Sequence, residues 1–179
     1  MAEPIYVELL VCAPIEAVWD ATQLPHHHQR WDLRFTRIEY LPRTAGEPQH
    51  FLYATRLGFG LEIRGEGTSA GDKAASDGSR TSSLVFGSAD RRSLIQHGSG
   101  YWRYVPTETG TRFITGYDYE VRFGVFGRWL DGLLFRRLIG WATAWSFDRL
   151  RLWLETGVTP EASLRRLRPR ARRCLRSPR

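Results

Sequence analysis

The sequence predicts an α+β fold, a seven-stranded curved antiparallel sheet around a long C-terminal helix, with two short helices after the first strand. Three observations predict it. The alternating segment Ile5–Val11 runs directly into Ala13-Pro14-Ile15-Glu16-Ala17-Val18-Trp19, which reads as a helix start. Short alternating segments, separated by glycine, proline and small polar residues, then fill the chain to about residue 123, the pattern of strands with one face buried. From residue 126 to 156 the apolar period becomes that of a helix.

In order, Pro14 suits a first helical turn, where its missing N–H has no intrahelical partner. Glu16 adds negative charge at that end, and Val18 and Trp19 give an apolar face. A second short helix is expected around residues 26–30. Strands are expected at 34–41 and 50–57, joined by the turn-rich segment 42–48, with Phe51, Tyr53, Thr55 and Leu57 on one face of the second. Segment 61–67 sets Leu61 and Ile63 against Glu62, Arg64 and Glu66, the pattern of a sheet dry on one side and wet on the other. Residues 72–79 read as a flexible hairpin tip. Strands at 80–87, 93–105 and 111–123 complete the seven, the last two joined by the hairpin loop 106–110.

The helix over 126–156 measures roughly 45 Å at 1.5 Å per residue, carries Phe126, Leu130, Leu134, Trp141, Trp145 and Leu152 on one stripe, and stops at Gly157. It must lie across the concave side of the sheet, because nothing else in the chain is large enough to cover that face. A second apolar set, Phe135, Ile139, Ala142, Leu150 and Trp153, occupies its back. That face calls for cover by the tail segment 159–167, by a second subunit in a homodimer, or by a membrane surface.

A chain of 179 residues fits one domain, here residues 1–157, followed by a short capped turn and an arginine-rich, disordered tail over 158–179. Cys12 and Cys174 lack the close spacing of metal ligands, so reduced thiols and a cytoplasmic setting are expected, with peripheral membrane contact as an option. The longest charge-free run of the last helix, 138–147, is about half of what a bilayer span needs. The net charge of +7 is carried by the tail, because without its eight arginines the body holds 18 basic against 19 acidic side chains. A basic groove for nucleic acid on the body is not expected. An acidic partner or anionic lipid would meet Arg165, Arg166, Arg168, Arg170, Arg172 and Arg173.

The order of elements, together with Ala13-Pro14-Ile15-Glu16-Ala17-Val18-Trp19, His28-Gln29-Arg30-Trp31-Asp32, Gly100-Tyr101-Trp102-Arg103-Tyr104-Val105-Pro106 and Gly110-Thr111-Arg112-Phe113, resembles the helix-grip superfamily. That superfamily, often called SRPBCC, includes START lipid-transfer domains, the birch-pollen allergen family and bacterial polyketide cyclases. The resemblance covers about residues 4–157 and implies a pocket between the concave face and the long helix, filled by an apolar or amphipathic molecule. The residues themselves point the same way. Inward candidates are Phe51, Tyr53, Leu61, Ile63, Trp102, Tyr104, Phe113, Thr115, Tyr117 and Tyr119 from the sheet, with Leu134, Trp141 and Trp145 from the helix, an aromatic inventory with a few hydroxyls.

Arg137 and Asp148 interrupt the helix stripe and are expected to point toward the sheet, too far apart, at about 16 Å along the axis, to pair with each other. Arg137 is the candidate anchor for an anionic or carbonyl end of the ligand, against the alternative of a structural ion pair. His26, His27 and His28 point about 100° apart on a helix and cannot converge on one ion, so they are expected on a surface turn. No catalytic constellation, metal-ligand spacing or phosphate loop is present in the sequence, and neither a cofactor nor a metal is expected. The favoured reading is therefore a carrier of a lipid, isoprenoid or polyketide-like molecule. A cyclase or dehydratase using Tyr117 and Tyr119, with Asp118 and Arg103, is the alternative, weakened because strand alternation turns Asp118 away from a pocket that the tyrosines face. A third reading is an interaction protein acting through the arginine tail.

Overall fold

The computed structural model describes residues 3–58, 60–165 and 172–174. Its strands are β1 (Ile5–Val11), β2 (Arg37–Tyr40), β3 (His50–Gly58), β4 (Leu61–Ala74), β5 (Arg80–Gly87), β6 (Ile95–Thr107), β7 (Gly110–Val121) and β8 (Arg172–Cys174). They form one antiparallel sheet in the order β2-β3-β4-β5-β6-β7-β1-β8. All seven expected strands are present. Within the arginine-rich segment, Arg172–Cys174 adds a further strand on β1, while 166–171 and 175–179 lie outside the described residues.

The two largest differences in strand boundaries have local reasons. Strand β2 starts three residues late, because the Arg34 N–H is taken by the Asp32 carboxylate at 3.0 Å. Strand β4 runs on to Ala74 through a bulge between Ser69 and Gly71, which absorbs the break in alternation. The flexible tip expected over 72–79 thus shrinks to a turn in which Asp77 accepts the Ser79 N–H.

The helices are α1 (Ile15–Gln23), α2 (Pro25–Trp31), α3 (Gly124–Leu130) and α4 (Arg136–Thr156), with a π-helical turn, Asp131–Phe135, joining the last two. Phe123, in the left-handed region at φ 68°, turns the chain out of β7 into α3. Gly157, at φ 70°, ends α4 in the conformation glycine adopts most cheaply, its N–H bonded to the Trp153 carbonyl.

The face that α4 turns inward is not the one hydropathy indicates. Arg136, Gly140, Thr143, Ala144, Phe147 and Leu150 are buried, and Phe135, Ile139 and Trp153, expected on the back, pack on the core. Phe126, Leu134 and Trp141 are exposed instead. The inward face is built on small and hydroxyl residues, which allow close approach and count as polar in a periodicity. Thr143 and Ser146 satisfy their hydroxyls by donating to the Ile139 and Ala142 carbonyls one turn back. The π turn adds a residue and rotates everything before it relative to α4.

Between sheet and helix, Phe113 stacks on Tyr104 at 5.0 Å and on Phe147 at 4.4 Å, with Trp31 edge-on at 6.5 Å. Just after Gly157, Pro160 and Ser163 fold back onto this core, where the buried Arg149 guanidinium donates to the carbonyls of Pro160, Trp31 and Arg30.

Candidate ligand-binding cleft

Residues directly opposed across antiparallel strands share a face. One such row crosses five strands as Phe51, Gly67, Phe86, Gly98 and Tyr119. Each glycine accommodates its neighbour's ring. A Cβ on Gly67 would stand 2.3 Å from the Phe51 ring, and one on Gly98 would stand 2.4 Å from Phe86. Tyr53 lies over Gly65 in the same way and donates its hydroxyl to the Gly87 carbonyl at 3.0 Å, and burial raises its pKa to about 12. Glycine in a strand here lets rings lie flat, so the sheet is paved with half-buried aromatic faces. An open cleft of about 1590 Å³ is lined by this row and, from the helical side, by Arg128, Asp131 and Arg136.

The polar end of the cleft is made by the π turn. Asp131 and Arg136 stand five residues apart, one π turn, so both project toward Tyr119. The Tyr119 hydroxyl donates to Asp131 Oδ1 at 2.7 Å, and Arg136 Nε donates to Asp131 Oδ2 at 2.9 Å. The same guanidinium lies 4.5 Å from the Tyr119 ring centroid and reaches Asp118 Oδ1 at 2.9 Å and the Glu3 carbonyl at 2.6 Å. Burial, then the Asp131 carboxylate, push the Tyr119 phenol far up, so it stays a donor. Arg122 also lines the cleft, donating Nη2 to the Ser88 carbonyl at 2.6 Å, while its buried Nε has no hydrogen-bond partner.

A second polar cluster lies deeper, in the packed half. Arg34 grips Asp32 through two bonds of 2.9 and 2.7 Å, and His28 Nε2 stands 3.0 Å from Asp32 Oδ2. Ser146 Oγ accepts the Leu33 N–H at 2.9 Å, and the Arg34 guanidinium lies 5.4 Å from the Tyr117 ring centroid. Burial pushes the Asp32 carboxyl up, but the Arg34 charge and the bonds from His28 and Arg34 outweigh it and hold Asp32 well below the carboxylate range. Burial lowers the His28 imidazole against the pull of Asp32. His28 is thus buried, contrary to the surface turn expected for all three histidines, because an i,i+4 carboxylate gives it a partner. His26 stays exposed.

The sequence candidates separate into three groups. Phe51 and Tyr119 line the cleft, and Tyr53, Leu61 and Ile63 are half-buried on β3 and β4. Trp102, Tyr104, Phe113, Thr115 and Tyr117 are buried and engaged elsewhere. Trp102 packs edge-on against His28, the Tyr104 hydroxyl meets Thr22, and Thr115 donates to the Tyr101 carbonyl. Tyr117 pairs with Thr143. Leu134, Arg137 and Trp141 lie on the outward side, and half-buried Trp145 packs 4.7 Å from Trp141. The expectation that Arg137 points to the sheet fails with the helix face, and Arg136 takes that place. Asp148 is buried as expected, paired with Arg151 at 2.8 Å. Sequence reasoning missed Phe86, Asp131, Arg136 and Arg34. A signal for Phe86 exists, since Gly65, Gly67, Gly98 and Gly100 recur at strand period beside aromatic residues.

Among the described residues no three metal-ligating side chains cluster, and no helix is long and apolar enough to cross a membrane. No family model matches the chain. A protein of Bacillus subtilis (strain 168) named "Uncharacterized membrane protein YndG" is 49% identical over 164 residues, covering 91% of this chain and 61% of that protein. The chain therefore spans about three fifths of the length of this relative. Among solved structures, TTHA0849 from Thermus thermophilus superposes with a TM-score of 0.64 at 17% identity, covering 86% of this chain and 98% of that one. The Zhui aromatase/cyclase from Streptomyces sp. R1128 gives 0.59 at 12% identity, covering 88% and 98%. The STAR-related lipid transfer protein from Xanthomonas axonopodis gives 0.59 at 16% identity, covering 85% and 93%.

Proposed function

We propose, for a chain that carries the helix-grip fold of the START-like SRPBCC superfamily, that it binds and carries an elongated hydrophobic molecule with one polar end. The observation that carries this reading is the paved row from Phe51 to Tyr119, open to a cleft of about 1590 Å³ and closed at one end by arginines. The aromatic row gives this cleft an apolar wall of the kind that ordinarily lines a small-molecule site, and His50, Glu66, His97, Asp118 and Glu120 add polar lining. The apolar part of the ligand lies along Phe86 and Phe51. Its head, a carbonyl or acidic group, faces the end of the cleft that Arg122 and Arg136 line. A lipid, isoprenoid or polyketide-like molecule fits these terms. The membrane-protein name of the Bacillus subtilis relative agrees with a ligand drawn from lipid, and the free thiol of exposed Cys12 agrees with a cytoplasmic setting.

A cyclase or dehydratase needs an acid and a base presented to the ligand. Here the Tyr117 hydroxyl is committed to Thr143 and Asp118 to Arg136, which favours a carrier. Native mass spectrometry of freshly expressed protein tests the proposal. The expected result is a co-purified lipid-like mass at one per chain, lost together with binding of an apolar fluorescent probe in Phe86→Ala. Empty protein that binds no probe, or probe affinity unchanged in Phe86→Ala and Phe51→Ala, overturns it.

A further inference from the structure

The surface from Phe123 through the start of α4 does not resemble the rest of the molecule. Val125, Phe126, Trp129, Leu133, Leu134 and Leu138 are each at least half exposed, up to 74% for Val125. Their spacing organises them. Val125, Trp129, Leu133, Arg137 and Trp141 recur every fourth residue, and Phe126, Leu134 and Leu138 fall on the same four-residue interval in the adjacent row, so the apolar side chains form one continuous band. Single exposed apolar residues are normal, but a contiguous band of this size marks a contact surface.

Charge decides what it contacts. Between residues 123 and 141 the chain has one acidic residue, Asp131, which is buried and paired with Arg136. The exposed charges on the band are Arg128 and Arg137. A second copy of this chain would bring cations against cations, whereas anionic lipid head groups complement them. Two band residues are tryptophans, whose amphipathic rings favour the interface between water and acyl chains.

We infer that α3, the π turn and the first two turns of α4 lie in the surface of an anionic bilayer, with Phe126, Trp129, Leu133 and Leu134 in the acyl boundary and Arg128 and Arg137 among the head groups. This docking does not depend on a ligand in the cleft.

The test is flotation of the full chain with vesicles of phosphatidylcholine plus phosphatidylglycerol, against phosphatidylcholine alone. The chain is expected to float with the anionic vesicles, and Phe126→Ser with Trp129→Ser is expected to weaken partitioning by roughly tenfold or more, with far-UV circular dichroism unchanged. Unchanged partitioning in a folded variant assigns the binding to the arginine tail and overturns the proposal. So does a wild-type dimer that the substitutions dissociate and that binds no vesicles. Should the double variant misfold, acyl-brominated lipid added to the wild type decides, because docking requires tryptophan quenching and its absence overturns it.

Discussion

The Tyr117 hydroxyl lies 2.7 Å from the Thr143 hydroxyl, both buried, and this contact pins the centre of β7 to the inward face of α4. Thr143 also donates to the Ile139 carbonyl, which leaves its lone pairs for the phenol. The grip of sheet on helix is therefore set by a polar contact within an aromatic core, and α4 is held in one rotation about its axis.

Thr143→Val keeps the shape and removes the acceptor. A buried phenol losing its partner costs about 1–3 kcal/mol, which lowers the melting temperature by about 2–4 °C per kcal/mol in a domain of this size. Tyr117→Phe in the same chain is expected to recover part of the loss, because neither group is then unsatisfied. Thermal melts of the two single variants and the double variant check it, and strictly additive losses contradict the coupling.

Gly98→Ala tests the paving. The added methyl would stand 2.4 Å from the Phe86 ring and 2.9 Å from the Asp118 carbonyl, so the ring must tip up into the cleft. A loss of about 1–3 kcal/mol is expected, together with weaker binding of an apolar probe. Gly132→Ala is the control. Its Cβ would meet nothing within 4 Å, it lies in the helical stretch, and it should gain up to about 1 kcal/mol with binding unchanged.

Most of the sheet was legible in the sequence because its strands are wet on one face. The alternation at Phe51, Tyr53 and Thr55, and at Phe113, Thr115, Tyr117 and Tyr119, gave residues that share a face, but Leu57, expected with the first set, falls in the bulge between Arg56 and Gly58 and is exposed. The helix face was not legible. Gly140, Thr143 and Ser146 are buried on the inward face yet do not register as apolar, while the greasiest stripe, with Phe126 and Trp141, is the one left outside. The π turn leaves no mark in a hydropathy period, so the Arg136 position fell to Arg137. A run of three histidines carries no sign in itself of which one is buried, and the partner that buries His28 is the carboxylate four residues on.

Arg136→Met tests the polar end of the cleft. It leaves the Asp131 carboxylate buried with only the Tyr119 hydroxyl for a partner. Breaking one side of a buried pair typically costs about 3–5 kcal/mol, and urea unfolding should show a loss of that order. Restoring neutrality with Asp131→Asn in the same chain should return part of it. A loss under about 1 kcal/mol, in the range of surface pairs, would mean that the pair is solvated.

The deeper cluster makes stability depend on acid in two steps of the same sign. His28 titrates in the native state below its ordinary value of about 6.5, so the unfolded chain takes up that proton first. Its contribution is complete above about pH 6.5 and is lost as pH falls toward the folded value, at up to about 1.4 kcal/mol per pH unit. Asp32 lies well below its ordinary value of about 3.9, so its contribution is complete above that range and drains away only in stronger acid. Urea unfolding at pH values between about 7 and 5 should therefore show falling stability in the wild type. His28→Gln keeps a side-chain amide within reach of Asp32 but cannot titrate, so the fall over that interval should flatten while the loss at lower pH persists. An unchanged slope in His28→Gln would place the responsible proton on another group.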